Sequence, residues 1–210
     1  LKVVILCGGL GTRLSEETTV KPKPMVEIGG MPILWHIMKH YYFYDHKDFV
    51  LALGYKGDYI KKYFLDYNTI NSDIEIDLET HKTIVQKSYA EKWKIMLRET
   101  GKDSMTGGRL LNLRNVLEDQ DSFMMTYGDG VSDININDLL KFHNQHNKIA
   151  TITAVRPPAR FGTMLFEGNA VKEFQEKPQT GEGWINGGFF IFRKEIFKYL
   201  KDEKTILERE

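Results

Sequence analysis

The residues most able to do chemistry gather near the amino terminus. The apolar run Val3-Val4-Ile5-Leu6-Cys7 breaks into Gly8-Gly9-Leu10-Gly11-Thr12-Arg13-Leu14, and Lys21-Pro22-Lys23-Pro24-Met25 follows. Glycines remove the Cβ atoms that would hold a ligand off the backbone, so consecutive amides can close around phosphate oxygens while cations neutralise the charge. A planar guanidinium takes two phosphate oxygens at once, which suits Arg13 to a pyrophosphate. Lys23 has restricted backbone on both sides, between Pro22 and Pro24, and suits a point charge held near reacting phosphates. Lys21 is an alternative for that role. In mid-chain, Phe123-Met124-Met125-Thr126-Tyr127 delivers Gly128-Asp129-Gly130, a carboxylate flanked by glycines where backbone must approach a ligand. A hard oxygen donor there suits Mg²⁺, which keeps substrate phosphates and waters in most of its shell.

Two familiar glycine loops do not fit. A dinucleotide fingerprint starting at Gly9 requires Gly or Ala where Leu14 stands, and no acidic residue occupies the ribose position. A P-loop closes on Gly-Lys-Ser/Thr, whereas this turn closes on Thr12-Arg13. Further along, Ser104, Thr106, Gly107, Gly108 and Arg109 form a small polar loop running into a helix, suited to backbone and hydroxyl contacts with a base and its phosphates. Asp133 reads as the cap of a later helix rather than a metal ligand. His36 and His40 stand four apart on a helix without a Glu-x-x-His frame, and read as packing or surface residues. Tyr41-Tyr42-Phe43-Tyr44 lacks basic interleaving and reads as core and subunit contact.

Gly-Gly-x-Gly-Thr-Arg-Leu, a proline-flanked lysine, Gly29-Gly30 and Pro32-Ile33-Leu34, followed by Thr106-Gly107-Gly108-Arg109, Tyr127-Gly128-Asp129-Gly130, Glu176-Lys177-Pro178 and Asn186-Gly187-Gly188-Phe189, resemble the sugar-1-phosphate nucleotidylyltransferases over nearly the whole chain. The stretch from Lys21 to Gly30 is similar to members that transfer a cytidylyl group. The resemblance implies Mg²⁺-dependent joining of CTP and α-D-glucose 1-phosphate to give CDP-glucose and pyrophosphate, serving deoxysugars of lipopolysaccharide O-antigen. It implies catalytic roles for Arg13, Lys23 and Asp129, with Asp129 on the metal. Nucleotide contacts are implied for Leu6, Gly8, Gly9, Gly11, Thr12, Arg13, Ser104, Thr106, Gly108, Arg109 and Gly128. Sugar-phosphate contacts are implied for Lys23, Glu176, Lys177, Asn186 and Gly187. A homo-oligomer, trimeric or hexameric, and a second metal-binding aspartate in a further C-terminal segment are implied as well. The same chemistry with dTTP, UTP or GTP, or with mannose 1-phosphate, and a non-catalytic sugar-nucleotide binding subunit are the alternatives.

The elements that must position these residues follow from patterning. Apolar runs at 3–7, 49–53, 123–127 and 149–155 alternate with amphipathic stretches at 32–44, 58–67, 107–117 and 136–145. That alternation predicts α/β architecture, a mainly parallel sheet covered on both faces; the resemblance implies the three-layer α/β/α, Rossmann-like form with a mixed sheet found in nucleotide-diphospho-sugar transferases. Ligands in such sheets bind beyond the carboxyl ends of strands, so the loops after Cys7 and Tyr127 are expected to share one pocket. Residues 70–106 alternate with period two and read as an excursion from the sheet; 156–192 read as hairpins suited to sugar recognition.

With 210 residues and no repeat or linker, one domain over 1–210, incomplete at its C-terminal end, is expected. The 29 basic and 29 acidic residues balance, which gives no reason to expect a nucleic-acid or membrane-surface partner. No apolar stretch reaches the roughly 20 residues of a membrane helix, and a cytoplasmic location is expected. Cys7, the sole cysteine, reads as a small apolar packing residue.

Overall fold

Successive side chains of a strand point to opposite faces of its sheet. Along β1 (Lys2–Leu6), Val3 and Ile5 pack into one apolar cluster, joined by Cys7, while Val4 and Leu6 pack into a second. The same division runs through β4 (Asp48–Leu53), where Phe49, Leu51 and Leu53 oppose Val50 and Ala52. It recurs in β8 (Ser122–Tyr127) and in β12 (Ile185–Arg193), where Phe189 and Ile191 oppose Phe190 and Phe192. Strands with two apolar faces need cover on both sides, which is the reason for three layers.

This computed structural model describes residues 1–9, 21–156, 163–175 and 183–209. With β7 (Lys94–Glu99) and β9 (Ala150–Val155), the central sheet has the order β7-β4-β1-β8-β12-β9. β7, β4, β1 and β8 run parallel; β12 is antiparallel to both its neighbours. One face is covered by α1 (Ile33–Phe43), α2 (Gly57–Ile70) and α5 (Ile136–His146), through Leu34, Ile37, Met38, Tyr41, Ile60 and Ile136. Leu34, Ile37, Met38 and Tyr41 recur at helical spacing, so α1 presents one continuous apolar stripe. The other face is covered by α3 (Thr106–Leu111), α4 (Arg114–Leu117) and a 3-10 turn at Lys194–Lys198, through Leu110, Leu117, Ile196 and Phe197.

Four local expectations change. The helical stretch at 107–117 is two helices, because the chain tightens after α3: the Leu113 amide bonds the Leu110 carbonyl at 3.0 Å. The excursion at 70–106 is shorter than its alternation suggested. β5 (Ser72–Asp77) and β6 (Lys82–Ser88) form a separate two-stranded ribbon, but β7 joins the main sheet beside β4, where Ile95 and Leu97 pack on the first cluster. The hairpin region likewise splits: β10 (Thr163–Glu167) and β11 (Ala170–Gln175) pair with each other, while β12 enters the main sheet. The cap of α5 is Asn135, not Asp133: Asn135 Oδ1 accepts from the Asn137 and Asp138 amides at 3.0 and 3.2 Å. Asp133 stands three residues before the helix, too far upstream to reach those first amides.

Ahead of α1, β2 (Glu27–Ile28) and β3 (Met31–Pro32) make a tight hairpin whose two turn residues, Gly29 and Gly30, have φ of 60° and 82°. Both positions favour glycine for that reason.

Candidate active site

The parallel ladder carries β1 and β8 to the same edge, with Leu6 in register with Tyr127. One further bond, from the Gly128 amide to the Leu6 carbonyl at 3.0 Å, continues the ladder into the loop. A Cβ on Gly128 would stand 2.8 Å from that carbonyl oxygen and 3.0 Å from Cγ of Pro24. Glycine is therefore required for three segments to close together: the end of β1, the end of β8 and the Pro22–Pro24 turn.

That turn is a short 3-10 helix, Lys23–Met25, fixed by the Met25 amide on the Pro22 carbonyl at 2.8 Å and anchored by buried Pro24 and Met25. With Pro24 seated on Gly128, Lys23 meets Asp129, and the ammonium and carboxylate form an ion pair. Lys21 is placed differently, with Nζ 2.7 Å from Glu27 Oε1. The two lysines that sequence left interchangeable are thus separated by position: Lys23 lines the cavity described next.

A cavity of about 330 Å³ opens here, lined by Leu6, Cys7, Gly8, Gly9, Lys23, Pro24, Ser104, Met105, Thr106, Arg109, Tyr127 and Asp129. The loop after β1 and the carboxylate after β8 share it, as the strand-end argument requires. Among the described residues nothing lies within 4 Å of where a Gly9 side chain would begin, so its backbone is approachable from their side. Ser104 is buried, and its Oγ has no hydrogen-bond partner among the described residues. Cys7 is buried, and burial pushes its thiol well above the ordinary range, so it enters the wall as an apolar atom group.

Arg109 occupies the floor in an unexpected manner. The residue is 5% exposed, and its guanidinium is taken up by the chain itself. Nη1 donates to the Leu53 carbonyl, Thr100 Oγ1 and the Gly101 carbonyl at 3.2, 3.0 and 2.7 Å. Nη2 donates to the Gly8 and Lys102 carbonyls at 2.8 and 3.2 Å. Burial pulls its proton affinity below the ordinary value, opposed by the nearby Cys7, Asp103 and Glu99. Arg109 thus lines the cavity while its Nη atoms, bonded to four carbonyls and the Thr100 hydroxyl, clamp the ends of β1, β4 and β7 together.

The loop-to-helix segment differs for a related reason. The Met105 amide bonds the Glu203 carbonyl at 2.9 Å, and the Gly107 and Gly108 amides bond the Thr205 carbonyl at 3.0 and 3.2 Å. A Cβ on Gly108 would fall 2.2 Å from the Glu203 carbonyl oxygen. Gly108 is thus a packing glycine beneath residues 201–209 and does not line the cavity. Thr106 does, with its hydroxyl donating to Glu208 Oε2 at 2.7 Å.

On the β12 side, neither Asn186 nor Gly187 lines the cavity, but Asn186 Nδ2 donates to Tyr127 Oη at 3.1 Å. Gly187 is set against the Thr153 carbonyl and Val155 of β9, 3.1 and 2.9 Å from where its Cβ would lie. Gly11, Thr12, Arg13, Glu176 and Lys177 lie outside the described residues. His36 bonds the Ile28 carbonyl at 2.8 Å near the surface, and the His40 ring packs edge-on against Tyr44 and Phe189, one surface and one packing role. Sequence reasoning missed Tyr127, which lines the cavity, and Glu208, which is bonded to Tyr127 and Thr106. Tyr127 carried a signal, an aromatic directly before Gly128-Asp129; Glu208 carried none.

Among the described residues no group of three or more His, Cys, Asp or Glu side chains gathers in a metal-ligand cluster. A single accessible carboxylate at a cavity mouth still fits Mg²⁺, which is commonly held by one or two carboxylates together with substrate phosphates. No helix among the described residues is long and apolar enough to cross a membrane.

Residues 2–210 match the family described as Nucleotidyl transferase. The chain is 48% identical over 210 residues to glucose-1-phosphate cytidylyltransferase of Salmonella typhi, covering all of this chain and 82% of that protein. It is 44% identical over 211 residues to a probable glucose-1-phosphate cytidylyltransferase of Bacillus subtilis, with the same coverage. Among solved structures, HddC of Yersinia pseudotuberculosis superposes with a TM-score of 0.71 at 26% identity, over all of this chain and 84% of that one. That protein has also been solved complexed with GMP-PN.

Proposed function

Because the chain belongs to the Nucleotidyl transferase family, we propose that it is the enzyme that joins CTP to α-D-glucose 1-phosphate, giving CDP-glucose and pyrophosphate. The observation that carries this reading is the Lys23–Asp129 pair on the cavity that Gly8 and Gly9 also line. Support for the particular substrates comes from the 48% identical relative, whose name specifies them.

A phosphate oxygen of the sugar phosphate attacks the α-phosphorus of the triphosphate; one P–O bond forms, and the bond to pyrophosphate breaks. Lys23 supplies an ammonium that offsets negative charge gathering on the reacting phosphates, and its pairing with Asp129 supports that role by holding it on the cavity. Gly9 leaves room for phosphate against the backbone. Arg13 takes the leaving pyrophosphate, and Glu176 and Lys177 take the sugar hydroxyls and sugar phosphate. Asp129 would hold Mg²⁺, which when bound neutralises triphosphate charge. Arg109 acts beneath the site, as the fastening that fixes the Gly8 carbonyl.

The same reading takes the chain to be a cytoplasmic homo-oligomer, trimeric or hexameric, serving O-antigen deoxysugar synthesis. Apolar side chains left exposed on the β5–β6 ribbon, Ile76, Leu78 and Ile84 among them, favour association. Light scattering after size exclusion reads the oligomer directly, and a monomer rejects it.

Initial rates of pyrophosphate release with CTP, UTP, dTTP and GTP, each with glucose 1-phosphate and with mannose 1-phosphate, test the assignment. CTP with glucose 1-phosphate is expected to dominate. Preference for GTP with mannose 1-phosphate would move the chain toward its 30% identical guanylyltransferase relative from Danio rerio and reject the proposal.

A further inference from the structure

Four side chains form one hydrogen-bonded series, and two of them, Tyr127 and Thr106, line the cavity. Asn186 Nδ2 donates to Tyr127 Oη at 3.1 Å, and Tyr127 Oη donates to Glu208 Oε1. The other oxygen of that carboxylate, Oε2, accepts from Thr106 Oγ1 at 2.7 Å, and Thr106 Oγ1 in turn accepts from the Leu207 amide at 2.9 Å. The Glu208 carboxylate bridges Tyr127 and Thr106. The series spans β12, β8, the segment 201–209 and α3, the elements bounding one side of the site.

The Tyr127 ring is closely flanked by its neighbours. It packs edge-on against Phe190 with centroids 5.5 Å apart, and Gly188, at φ 83°, approaches so closely that a Cβ there would lie 3.0 Å from ring carbon Cδ2. What remains adjustable is the direction of the hydroxyl proton. A phenol has one proton to give, and here the carboxylate takes it. Burial first, and then Glu208, push the Tyr127 phenol above its ordinary range, so the oxygen keeps that proton at neutral pH.

We infer that Glu208 is a positioning residue: by taking the Tyr127 proton it leaves Tyr127 Oη able only to accept at the cavity wall, and the lone pair not engaged by Asn186 Nδ2 selects a substrate group that donates. Under the transferase reading on which this rests, two donors qualify, an amine on the base and a hydroxyl on the sugar. An acceptor in the same place, such as a base carbonyl, meets an oxygen lone pair and is disfavoured.

The test compares wild type with Glu208→Ala, Glu208→Gln, Tyr127→Phe and the Tyr127→Phe/Glu208→Ala double variant, using whichever triphosphate the wild type turns over fastest. Glu208→Ala is expected to raise KM for one substrate about tenfold while kcat changes less. Glu208→Gln, whose amide oxygen can still accept from Tyr127, is expected to recover most of that loss. In the double variant, Glu208→Ala should add nothing further, because its effect passes through the hydroxyl that Tyr127→Phe has removed.

A KM rise on the triphosphate, with a smaller preference for CTP over UTP, identifies the base amine as the donor; a rise on the sugar phosphate identifies a sugar hydroxyl. Additive effects in the double variant, equal KM changes for both substrates, or lowered thermal stability with unchanged KM overturn the inference. If no triphosphate is turned over, the transferase reading fails. The same non-additivity must then appear in the calorimetric Kd of the tightest-binding triphosphate, and additivity there sinks the positioning role as well.

Discussion

Nη2 of Arg109 donates to the carbonyl of Gly8 at 2.8 Å across 101 residues of sequence. The loop after β1 is thereby tied to α3, and through the Leu53 carbonyl and Thr100 Oγ1 to the ends of β4 and β7. Sites Gly8 and Gly54 have their glycines because of this clamp: a Cβ on either would lie 2.1 or 2.4 Å from Arg109 Nη1.

Arg109→Ala is expected to lower stability by about 2–4 kcal/mol, since several buried acceptors lose their donor together. Arg109→Lys should recover little, because one ammonium cannot span the fork. Gly8→Ala should reproduce much of the loss by pushing the guanidinium out. Thermal denaturation reads all three, and a shift within about 2 °C for Arg109→Ala rejects the clamp.

Lys23→Ala is expected to reduce turnover about a hundredfold or more while leaving the melting temperature nearly unchanged. Its pairing with Asp129 is partly solvent-exposed, and such pairs contribute about 0–1 kcal/mol to folding. Comparable losses of turnover and stability would make Lys23 a structural residue.

Asp129→Asn removes the carboxylate charge but keeps the shape, so the Mg²⁺ concentration for half-maximal rate should rise severalfold. An unaltered Mg²⁺ titration removes Asp129 from the metal.

Gly128→Ala places a methyl group 2.8 Å from the Leu6 carbonyl oxygen, a backbone atom that cannot rotate aside. The expected cost is about 1–3 kcal/mol, with turnover reduced as Lys23 and Asp129 move apart. A crystal structure of the variant with the pair intact would contradict this.

Acid sensitivity should involve His143. It is fully buried on α5, with Nδ1 2.7 Å from Thr151 Oγ1, and burial, then the charges of Arg193 and His146, lower its pKa. A lowered histidine pKa means the unfolded chain binds the proton more readily than the folded one. Stability is therefore full above the unfolded value of about 6.5 and declines as pH falls below it toward the folded value. The melting temperature should drop between pH 7.5 and pH 5.5, and by less in His143→Gln. An equal drop in both proteins clears His143 of the effect.

Sequence alone determined the layered α/β plan, because an apolar strand without a polar face demands cover on both sides, and Val3 to Cys7, Phe49 to Leu53 and Phe123 to Tyr127 say so without reference to partners. It also supplied Gly8, Gly9, Lys23 and Asp129 as one group, since ligands gather beyond carboxyl ends of parallel strands. Tertiary structure alone set Lys23 on the cavity and Lys21 against Glu27, because that placement depends on Pro24 lying against Gly128. It gave Arg109 a clamping role and Gly108 a packing position, because both depend on carbonyls from segments far away in sequence. It brought Glu208 to Tyr127 and Thr106 by docking residues 201–209 on α3. Local patterning reports which face of an element is apolar; it carries no record of which distant carbonyl or carboxylate will occupy a donor once the chain has closed.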